Sequence, residues 1–426
     1  DWNGTDVSNY TYLGAGAIVQ ESYPVPAVAL DYTGSGNAYS GFDRFGRVVD
    51  QRWAGSSGDV DRFTYGYDRN SNRTYRENSV AASQTSPVHL DELYGYDQIN
   101  RLTSARRGQL NDQDRISDHK LSQEWELDAT GNWKQFSSYD QATAGDVLVQ
   151  HREHNAVNEI TDIGETVGDS WVAPAHDRNG NMTTIPKPDA PTSSFALIWD
   201  AWNRLVEVKD GANTVGQYSY DGFGRRVRKY VPGTPNSYQD FYFNAGWQVL
   251  ETRQAFISPS LATTQYQYVW SLRYIDAPVL RDDRASMPND VLYYLGDANF
   301  NVTALVDTNG NAVERYVYDA YGKVTIYNGD WSVVRSSSQY ANSTLYTGRW
   351  LDDETGLYYY RARYYYANLG RFVGRDPIRY GGGANLYEYV RSRSTRLVDP
   401  FGLNPEFWRK TWQHHWIPQS GEPLRK

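Results

Sequence analysis

Apolar and polar side chains alternate in short stretches along this chain, and turns rich in Gly and Asn separate the stretches. Tyr218-Ser219-Tyr220 stands before one such turn, and Val227-Arg228-Lys229-Tyr230-Val231 follows it. Side chains two residues apart lie on the same face of a β-strand, so this alternation is typical of strands with one buried face. The pattern therefore predicts a succession of β-hairpins.

A five-residue motif, Asp-x-x-(Gly/Asn/Ser)-(Arg/Asn/Lys), marks the turns between these strands. The Asp carboxylate can accept a hydrogen bond from the backbone N–H two residues later, and Gly or Asn in fourth place tolerates a positive φ. Both features suit a type I turn followed by a bulge residue. An aromatic residue or His usually precedes the Asp. The copies begin at Asp43, Asp68, Asp97, Asp128, Asp177, Asp200, Asp221, Asp307 and Asp319, and a tenth copy at Asn155 has Asn in first and Glu in fifth place.

The spacing of this motif makes one hairpin the repeating unit. A lone hairpin is marginally stable in water, so neighbouring hairpins must pair edge to edge to bury their apolar face. We expect a long sheet in which the recurring aromatic residues pack on one face. Carbohydrate binding by this aromatic row is the less common alternative. A calcium loop at Asp177 or Asp307 is disfavoured, because neither turn has the distal bidentate Glu.

Composition supports an all-β protein. Aromatic residues make up 15% of the 426 positions, whereas disordered chains are poor in them. The chain has no Cys, which excludes a disulfide framework, a thiolate metal site and a cysteine nucleophile. Its apolar stretches are far shorter than the ~20 residues of a membrane helix. The chain begins with Asp1 and shows no signal-peptide pattern, so we expect any targeting signal to lie upstream.

Charge is unevenly distributed along the chain, whose formal net charge is −9. Residues 360–426 contain 12 Lys and Arg against 5 Asp and Glu, so the remainder of the chain is strongly acidic. An acidic body with a basic end argues against nucleic acid as a partner. We expect the basic end to contact the acidic body rather than a separate acidic partner.

Two copies of the turn motif, Tyr220–Arg225 and Tyr318–Lys323, resemble the YD repeats of the RHS (rearrangement hotspot) family. Segments further along resemble the core motif that closes the repeat region in that family. These segments are Leu351–Tyr364, Gly370–Ile378, Asn385–Tyr389 and Asp399–Leu403. The match to the core is the more specific of the two, because the individual repeats are short.

The resemblance implies a fold. YD-repeat hairpins would form a long β-sheet that spirals into a shell or partial barrel, and the RHS core would close it as an inward-turning plug. Residues 1–340 would form the repeat strip and residues 341–403 the core. Residues 404–426 would be the start or remnant of a variable C-terminal region.

The resemblance also implies a role. In polymorphic toxins and toxin-complex C components of this family, the shell encloses a C-terminal toxin. The chain would then encapsulate and deliver such a segment, alone or with other shell or secretion components, as a secreted or cell-surface protein. The alternative is a structural or adhesion protein that binds cell-surface glycans or other proteins and is not cleaved.

The one chemistry that the resemblance implies is intramolecular aspartyl self-cleavage. Asp376 and Asp399 would form the catalytic carboxylate pair, with Arg375 as a nearby charge partner, and Leu403-Asn404 would be the scissile bond. Two neighbouring carboxylates cannot both ionise easily, so one can act as acid while the other activates water. The competing interpretation is a buried, ion-paired Asp-Pro corner. Arg379 stands where the family has Gly, at a position that calls for a positive φ. No cofactor or metal is expected.

Beyond the core, Asn404-Pro405-Glu406 has the features of a helix start. Trp408, Trp412 and Trp416 follow at helical spacing, which predicts a short helix with one aromatic face. His414-His415 resembles the opening of HNH-type nuclease toxins. The segment is too short for a nuclease domain, so we interpret it as a truncated remnant at most.

Overall fold

The computed structural model describes residues 6–14, 16–33, 41–143, 145–256, 258–286, 290–403 and 406–407. Antiparallel β-strands dominate these residues, which confirms the all-β prediction. Each strand of the two large sheets pairs with the next strand along the chain, so both sheets are simple meanders built from hairpins.

The first sheet has 12 strands in sequence order. They are β1 Asn9–Leu13, β2 Ala17–Tyr23, β3 Val28–Asp31, β4 Asp50–Gly55, β5 Gly58–Tyr67, β6 Arg73–Asn78, β7 Asp91–Tyr96, β8 Leu102–Asn111, β9 Arg115–Leu127, β10 Trp133–Asp140, β11 Gly145–His154 and β12 Ile160–Val167. In the described residues β1 does not pair with β12, so this sheet is open.

The second sheet has 15 strands, again in sequence order and not closed within the described part of the chain. They are β13 Ala175–His176, β14 Met182–Pro186, β15 Ser194–Trp199, β16 Leu205–Asp210, β17 Asn213–Tyr220, β18 Arg226–Val231, β19 Ser237–Phe243, β20 Val249–Ala255, β21 Thr263–Trp270, β22 Pro278–Asp283, β23 Asp290–Gly296, β24 Val302–Val306, β25 Ala312–Tyr318, β26 Val324–Asn328 and β27 Val334–Arg335.

Two small sheets follow, and the helices are short. The central sheet consists of β28 Trp350–Asp352, β29 Leu357–Tyr360, β30 Arg363–Tyr366 and β31 Arg371–Phe372, and β32 Leu397–Val398 pairs with β33 Glu406–Phe407. The α-helix α1 spans Ser79–Ala82. Single 3-10 turns lie at Gln141–Thr143, Pro259–Leu261, Tyr346–Gly348, Ala367–Leu369, Arg379–Gly381 and Val390–Ser392.

The turn motif has the predicted geometry. In the turn that starts at Asp221, the carboxylate accepts hydrogen bonds from the N–H groups of Phe223 and Arg225, both at 2.9 Å. Gly224 has φ +81°, and the ladder shifts register at the same point. Asn203 occupies the equivalent place in the preceding turn, with φ +59°. The bulged type I turn expected from the sequence is therefore confirmed.

Two further copies of this turn do not match the sequence motif. They start at Asn244 and Asp297, and their fourth residues are Trp247 and Phe300, with φ +67° and +61°. An aromatic residue in a left-handed conformation is sterically disfavoured, so the pattern required Gly, Asn or Ser there. Burial of the Phe300 ring against Tyr274, at 4.3 Å between ring centroids, offsets the local cost.

Successive turns are joined along one edge of the sheets. The fifth residue of one turn donates a hydrogen bond to the next turn, so that the turns form a ladder. Examples are Arg47 Nη1 to Asp68 O, Asn72 Nδ2 to Asn100 Oδ1, Asn132 Nδ2 to Asn158 Oδ1, Asn181 Nδ2 to Asn203 Oδ1 and Arg204 Nη1 to Asp221 O, with distances from 2.8 to 3.4 Å. We call this row of linked turns the turn ladder.

Several aromatic residues that precede a turn also contact an earlier turn of the sheet. Tyr220 Oη donates to the carbonyl of Leu205, which directly follows the preceding turn, at 2.7 Å. Tyr67, Tyr96, Trp199, Trp270 and Tyr318 make the equivalent bond. The Arg204 guanidinium lies 5.0 Å from the centroid of the Tyr220 ring. These aromatic residues thus fix the spacing of neighbouring turns.

The central sheet fills the space between the two large sheets. Its strands are buried on both faces and read as near-continuous aromatic runs, as expected of an enclosed sheet. One buried cluster combines residues of the first sheet, the second sheet and the core: Trp125, Trp133, Leu305, Tyr316, Tyr358, Tyr360, Tyr365 and Tyr389. The core segment therefore occupies the interior, in agreement with the plug that the resemblance implies.

One sequence expectation is wrong in part. Glu406–Phe407 form a strand antiparallel to Leu397–Val398, so the predicted C-terminal helix does not include these two residues. Pairing with β32 satisfies the backbone groups of this segment and overrides the local capping signal. The remaining positions of that helix, including Trp408, Trp412 and Trp416, lie outside the described residues, as do His414 and His415.

Replacing the turn aspartate should destabilise the fold. Asp221→Ala removes the acceptor for two backbone N–H groups and for Arg225, so we expect a loss of about 1–3 kcal/mol in the free energy of unfolding. Urea denaturation followed by circular dichroism measures this change. Asp146→Ala, on an exposed position of β11, should change it by less than about 0.5 kcal/mol. Equal losses in both variants would contradict a structural role for the turn carboxylate.

Candidate functional site

Asp376 lies in the turn that follows β31 and the bend at Gly374. Its backbone N–H donates to the carbonyl of Leu386, and its Oδ1 accepts from the N–H of Ile378 at 3.0 Å. Proline at 377 prevents the chain from continuing a β-ladder. The Asp-Pro pair thus fixes a tight corner with one carboxylate oxygen, Oδ2, left to face the interior.

Asp399 lies in the second Asp-Pro element, directly after β32. Its Oδ1 accepts from the N–H of Leu403 at 3.0 Å, which holds the predicted cleavage residue against the carboxylate. Gly402 makes this close return possible. It has φ +67°, and a Cβ there would lie 2.4 Å from the carbonyl oxygen of Tyr360.

Arg363 joins the two carboxylates. Its Nη2 lies 3.3 Å from Asp376 Oδ2 and 3.4 Å from Asp399 Oδ2. The same guanidinium donates to the carbonyls of Gly402 and Leu386 and lies 3.6 Å from the centroid of the Phe372 ring. All three charged side chains are at least 94% buried. The structure therefore brings the two predicted aspartates together around one buried cation.

The carbonyl of Leu403 lies beside this pair. Gly382 separates it from Asp376: a Cβ on Gly382 would lie 2.6 Å from Asp376 Oδ2 and 3.1 Å from Leu403 O. The predicted scissile carbonyl and the Asp376 carboxylate thus face the same small space. Asn404, the other half of the predicted scissile bond, lies outside the described residues.

Burial dominates the electrostatics of the pair. Burial raises the pKa of Asp376, and the charge of Asp399 raises it further, while Arg363 and the Ile378 N–H oppose the shift. Burial also lowers the pKa of Arg363 to about 10, although both carboxylates favour its charged form. One cation shared by two acids favours a state in which one acid holds a proton.

Arg375 is not part of this pair. Its Nη2 donates to Glu159 Oε1 at 2.5 Å and its Nε to Tyr387 Oη at 3.1 Å. Arg375 therefore ties the residue before Asp376 to the turn ladder, and Arg363 takes the place beside the carboxylates that the sequence assigned to Arg375. Arg363 is one of two basic residues, with Arg361, inside the aromatic run 357–366, and this was its signal, because a buried cation needs an acidic partner.

A second buried ion cluster supports the Asp-Pro element at 399. Arg349 and Arg361 both pair with the carboxylate of Asp276, at the end of the turn after β21. Both guanidinium groups also donate to the carbonyl of Pro400. This cluster holds the backbone next to Asp399, and through Arg361 it joins the basic segment 360–426 to Asp276 of the acidic body.

In the described part of the chain, no group of three or more His, Asp or Glu side chains is arranged to hold a metal ion. The helices that the structure describes include none long and apolar enough to span a membrane.

Comparisons with known proteins agree with this architecture. The family model described as RHS Repeat matches residues 199–234. The tRNA nuclease WapA of Bacillus subtilis strain 168 is 28% identical over 285 residues, which are 66% of this chain and 11% of WapA. Toxin subunit YenC1 of Yersinia entomophaga is 34% identical over 234 residues, which are 50% of this chain and 22% of YenC1. The chain thus spans about a tenth to a fifth of these relatives.

Among solved structures, the crystal structure of TcdB2-TccC3 matches 95% of this chain with a TM-score of 0.71. The matched part is 20% of that chain, and 20% of the aligned residues are identical. The likeness shows that the fold is shared with this part of TcdB2-TccC3.

Arg379 adopts a left-handed conformation, with φ +55°, at the position where the family has Gly. Its side chain is exposed, so Arg379→Gly should raise the free energy of unfolding by roughly 1 kcal/mol through relief of strain. Arg178→Gly is the matched control: it is an exposed turn arginine without a positive φ and should lose roughly 0.5–1 kcal/mol. Urea denaturation compares the two, and a loss of stability in Arg379→Gly would refute the strain.

Proposed function

We propose that this chain, whose residues 199–234 match the RHS Repeat model, is the C-terminal part of a toxin-carrying RHS shell whose core cuts the chain after Leu403. The observation that carries the proposal is the convergence of Asp376 and Asp399 on Arg363, with the Leu403 carbonyl beside Asp376. The names of the relatives, a tRNA nuclease and a toxin subunit, support a toxin as the cargo.

In this proposal residues 1–340 form the repeat strip, residues 341–403 form the core, and the toxin segment starts at Asn404. The strip and the core would join further parts of a longer shell, because the chain spans only a small share of its relatives. The protein would act outside the cell that makes it, as a secreted or surface-bound carrier.

Cleavage would add one water molecule across the Leu403-Asn404 bond. Asp399, as the carboxylate, accepts a proton from the water while the water oxygen attacks the Leu403 carbonyl carbon. Asp376, as the neutral acid, donates its proton to the carbonyl oxygen as that oxygen gains negative charge. When the C–N bond breaks, Asp399 gives its proton to the Asn404 nitrogen, and Asp376 takes back a proton from one of the two hydroxyl groups of the intermediate. The products are a free carboxyl group on Leu403 and a free amine on Asn404.

Arg363 would position both carboxylates in this reaction. Its guanidinium contacts the two acids and two backbone carbonyls. Because the guanidinium is planar and rigid, it sets the distance between the two carboxylates. Because Asp376 must be protonated and burial raises its pKa, cleavage should slow as the pH rises through that raised pKa.

The proposal predicts which carboxylates are essential. In the chain with a reporter domain fused after Lys426, intact mass spectrometry should find a fragment ending at Leu403. Asp376→Asn and Asp399→Asn should each slow cleavage at least about 100-fold, because Asn keeps the shape but cannot transfer the proton.

Asp353→Asn serves as the control for this pair. Asp353 is another carboxylate of the core segment, but it is exposed and is not an ion-pair partner of Arg363. This variant should be cut like the parent. If both dyad variants are still cut after Leu403, the assignment of the pair is wrong.

Gly382 offers a steric test of the same geometry. Gly382→Ala would place a methyl group between Asp376 Oδ2 and Leu403 O without demanding a positive φ, because Gly382 has φ −85°. We expect cleavage to fall at least about tenfold, since a displacement of 1 Å at a reacting centre is costly.

The neighbouring Gly381→Ala is the matched control. Its Cβ would meet only the Ile378 side chain, at an ordinary contact distance of 3.7 Å. The same mass measurement should find normal cleavage in this variant. Equal cleavage in Gly382→Ala and Gly381→Ala would show that the scissile carbonyl does not approach Asp376.

One observation favours a second candidate function. Trp202 and Phe223 lie on neighbouring turns with 75% and 81% of their surfaces exposed. Such a pair of rings suits an adhesion surface for glycans or proteins. An uncut mass in the parent and in every variant would favour this alternative.

A further inference from the structure

Two buried arginines face one small cavity between the turn ladder and the core. Arg152, on β11, and Arg371, on β31, have only 4% and 5% of their surfaces exposed. Both line a cavity of about 10 Å³, together with Asn132, His154 and Glu388. Within the described residues neither guanidinium is within ion-pair distance of a carboxylate, whereas buried cations in proteins are nearly always paired.

Arg152 is held by neutral acceptors. It donates to Gln150 Oε1 at 2.9 Å and to the carbonyls of Leu369 and Asn368 at 3.1 and 3.4 Å. Its guanidinium lies 4.7 Å from the centroid of the Trp133 ring. Burial and the charge of Arg371 lower the pKa of Arg152 to about 9, and Glu165 opposes the shift only weakly. These contacts therefore hold the Arg152 guanidinium in place, but none of them supplies a negative charge to neutralise it.

Arg371 is also held by amide and carbonyl groups. Its Nη2 donates to the carbonyl of Asn158 at 2.7 Å and to the side-chain oxygens of Asn132 and Asn385 at 3.3 and 3.5 Å. Its buried Nε has no hydrogen-bond partner among the residues that the structure describes. A buried, unpaired N–H on a charged group costs more than an ordinary lost hydrogen bond.

The other titratable groups at this cavity do not supply the missing charge. Burial and the two arginines lower the pKa of His154 to about 3, so it is neutral. Burial raises the pKa of Glu388 to about 7, and its carboxyl accepts from Ser392 Oγ rather than from either guanidinium. Two cations therefore face one partly ionised acid.

We propose that this cavity binds a single chloride ion between Arg152 and Arg371. An anion there would compensate two desolvated guanidinium groups and accept the free Arg371 Nε–H. The volume favours one small occupant over sulfate or phosphate. The ion would stabilise the junction where β31 of the core meets β10 and β11 of the first sheet.

Halide diffraction is the direct test of this site. Crystals of the protein grown in bromide should give an anomalous peak in the cavity, in contact with nitrogen atoms of both arginines. A fully ordered cavity without such a peak would overturn the proposal.

Thermal unfolding tests the same site in solution. Replacing gluconate by chloride at constant ionic strength should raise the Tm by about 1–3 °C, because chloride binds the folded state. Sulfate should not replace chloride in this effect. An equal Tm in chloride and gluconate would contradict the proposal.

Three variants assign the effect to this cavity. Arg371→Gln should abolish the dependence of the Tm on chloride. Glu388→Gln removes the competing carboxylate, so the chloride concentration that gives half of the rise in Tm should fall roughly threefold.

Arg281→Gln is the matched control. Arg281 is also buried, and in the described residues it has only carbonyl acceptors and an Nε without a partner, but it lies away from this cavity. This control should lower the Tm and keep its chloride dependence. If Arg371→Gln does not fold, an unchanged half-maximal concentration in Glu388→Gln would refute the site.

Discussion

The hydrogen bonds of the aspartate-centred turn are the interaction on which the rest of this structure depends. One carboxylate oxygen satisfies the N–H groups of the third and fifth turn residues, and the other holds the side chain of the fifth residue. That side chain then reaches the next turn. Each ion pair is partly exposed and contributes little by itself. The gain lies in the backbone groups, each worth about 1 kcal/mol, and in the register that they impose on every hairpin.

The core segment uses this regular row of turns as its docking surface. Arg396 donates to the carbonyl of Asn70, Asn385 to that of Thr130, Arg371 to that of Asn158 and Tyr387 to that of Gly180. These four acceptors belong to successive or nearly successive turns of the ladder. The polar groups of an irregular, buried segment are thereby satisfied by a regular sheet edge, and the corner that carries Asp376 lies between two of these anchors.

Most of the fold could be predicted from the sequence because its turns are local. An Asp with Gly or Asn three residues later is enough to form the turn, whatever the rest of the chain does. The turns at Asn244 and Asp297 were missed because tertiary packing, not local conformation, stabilises Trp247 and Phe300 at positive φ. The core could be predicted only through its resemblance to a family. Arg363 was missed as the partner of the aspartates because its role arises from contacts between residues far apart in sequence.

The same dependence on distant contacts bears on when the candidate site can act. Asp376 is positioned through Leu386, Asp399 through the cluster of Asp276, Arg349 and Arg361, and Arg363 by packing on Phe372. These residues come from the second sheet, the central sheet and the final loops. None of the contacts exists in a partly folded chain, in which water would separate the two carboxylates and leave both ionised. Burial, which raises the pKa of Asp376, is complete only when the core lies between the sheets. Cleavage after Leu403 would therefore begin only after the chain has folded completely.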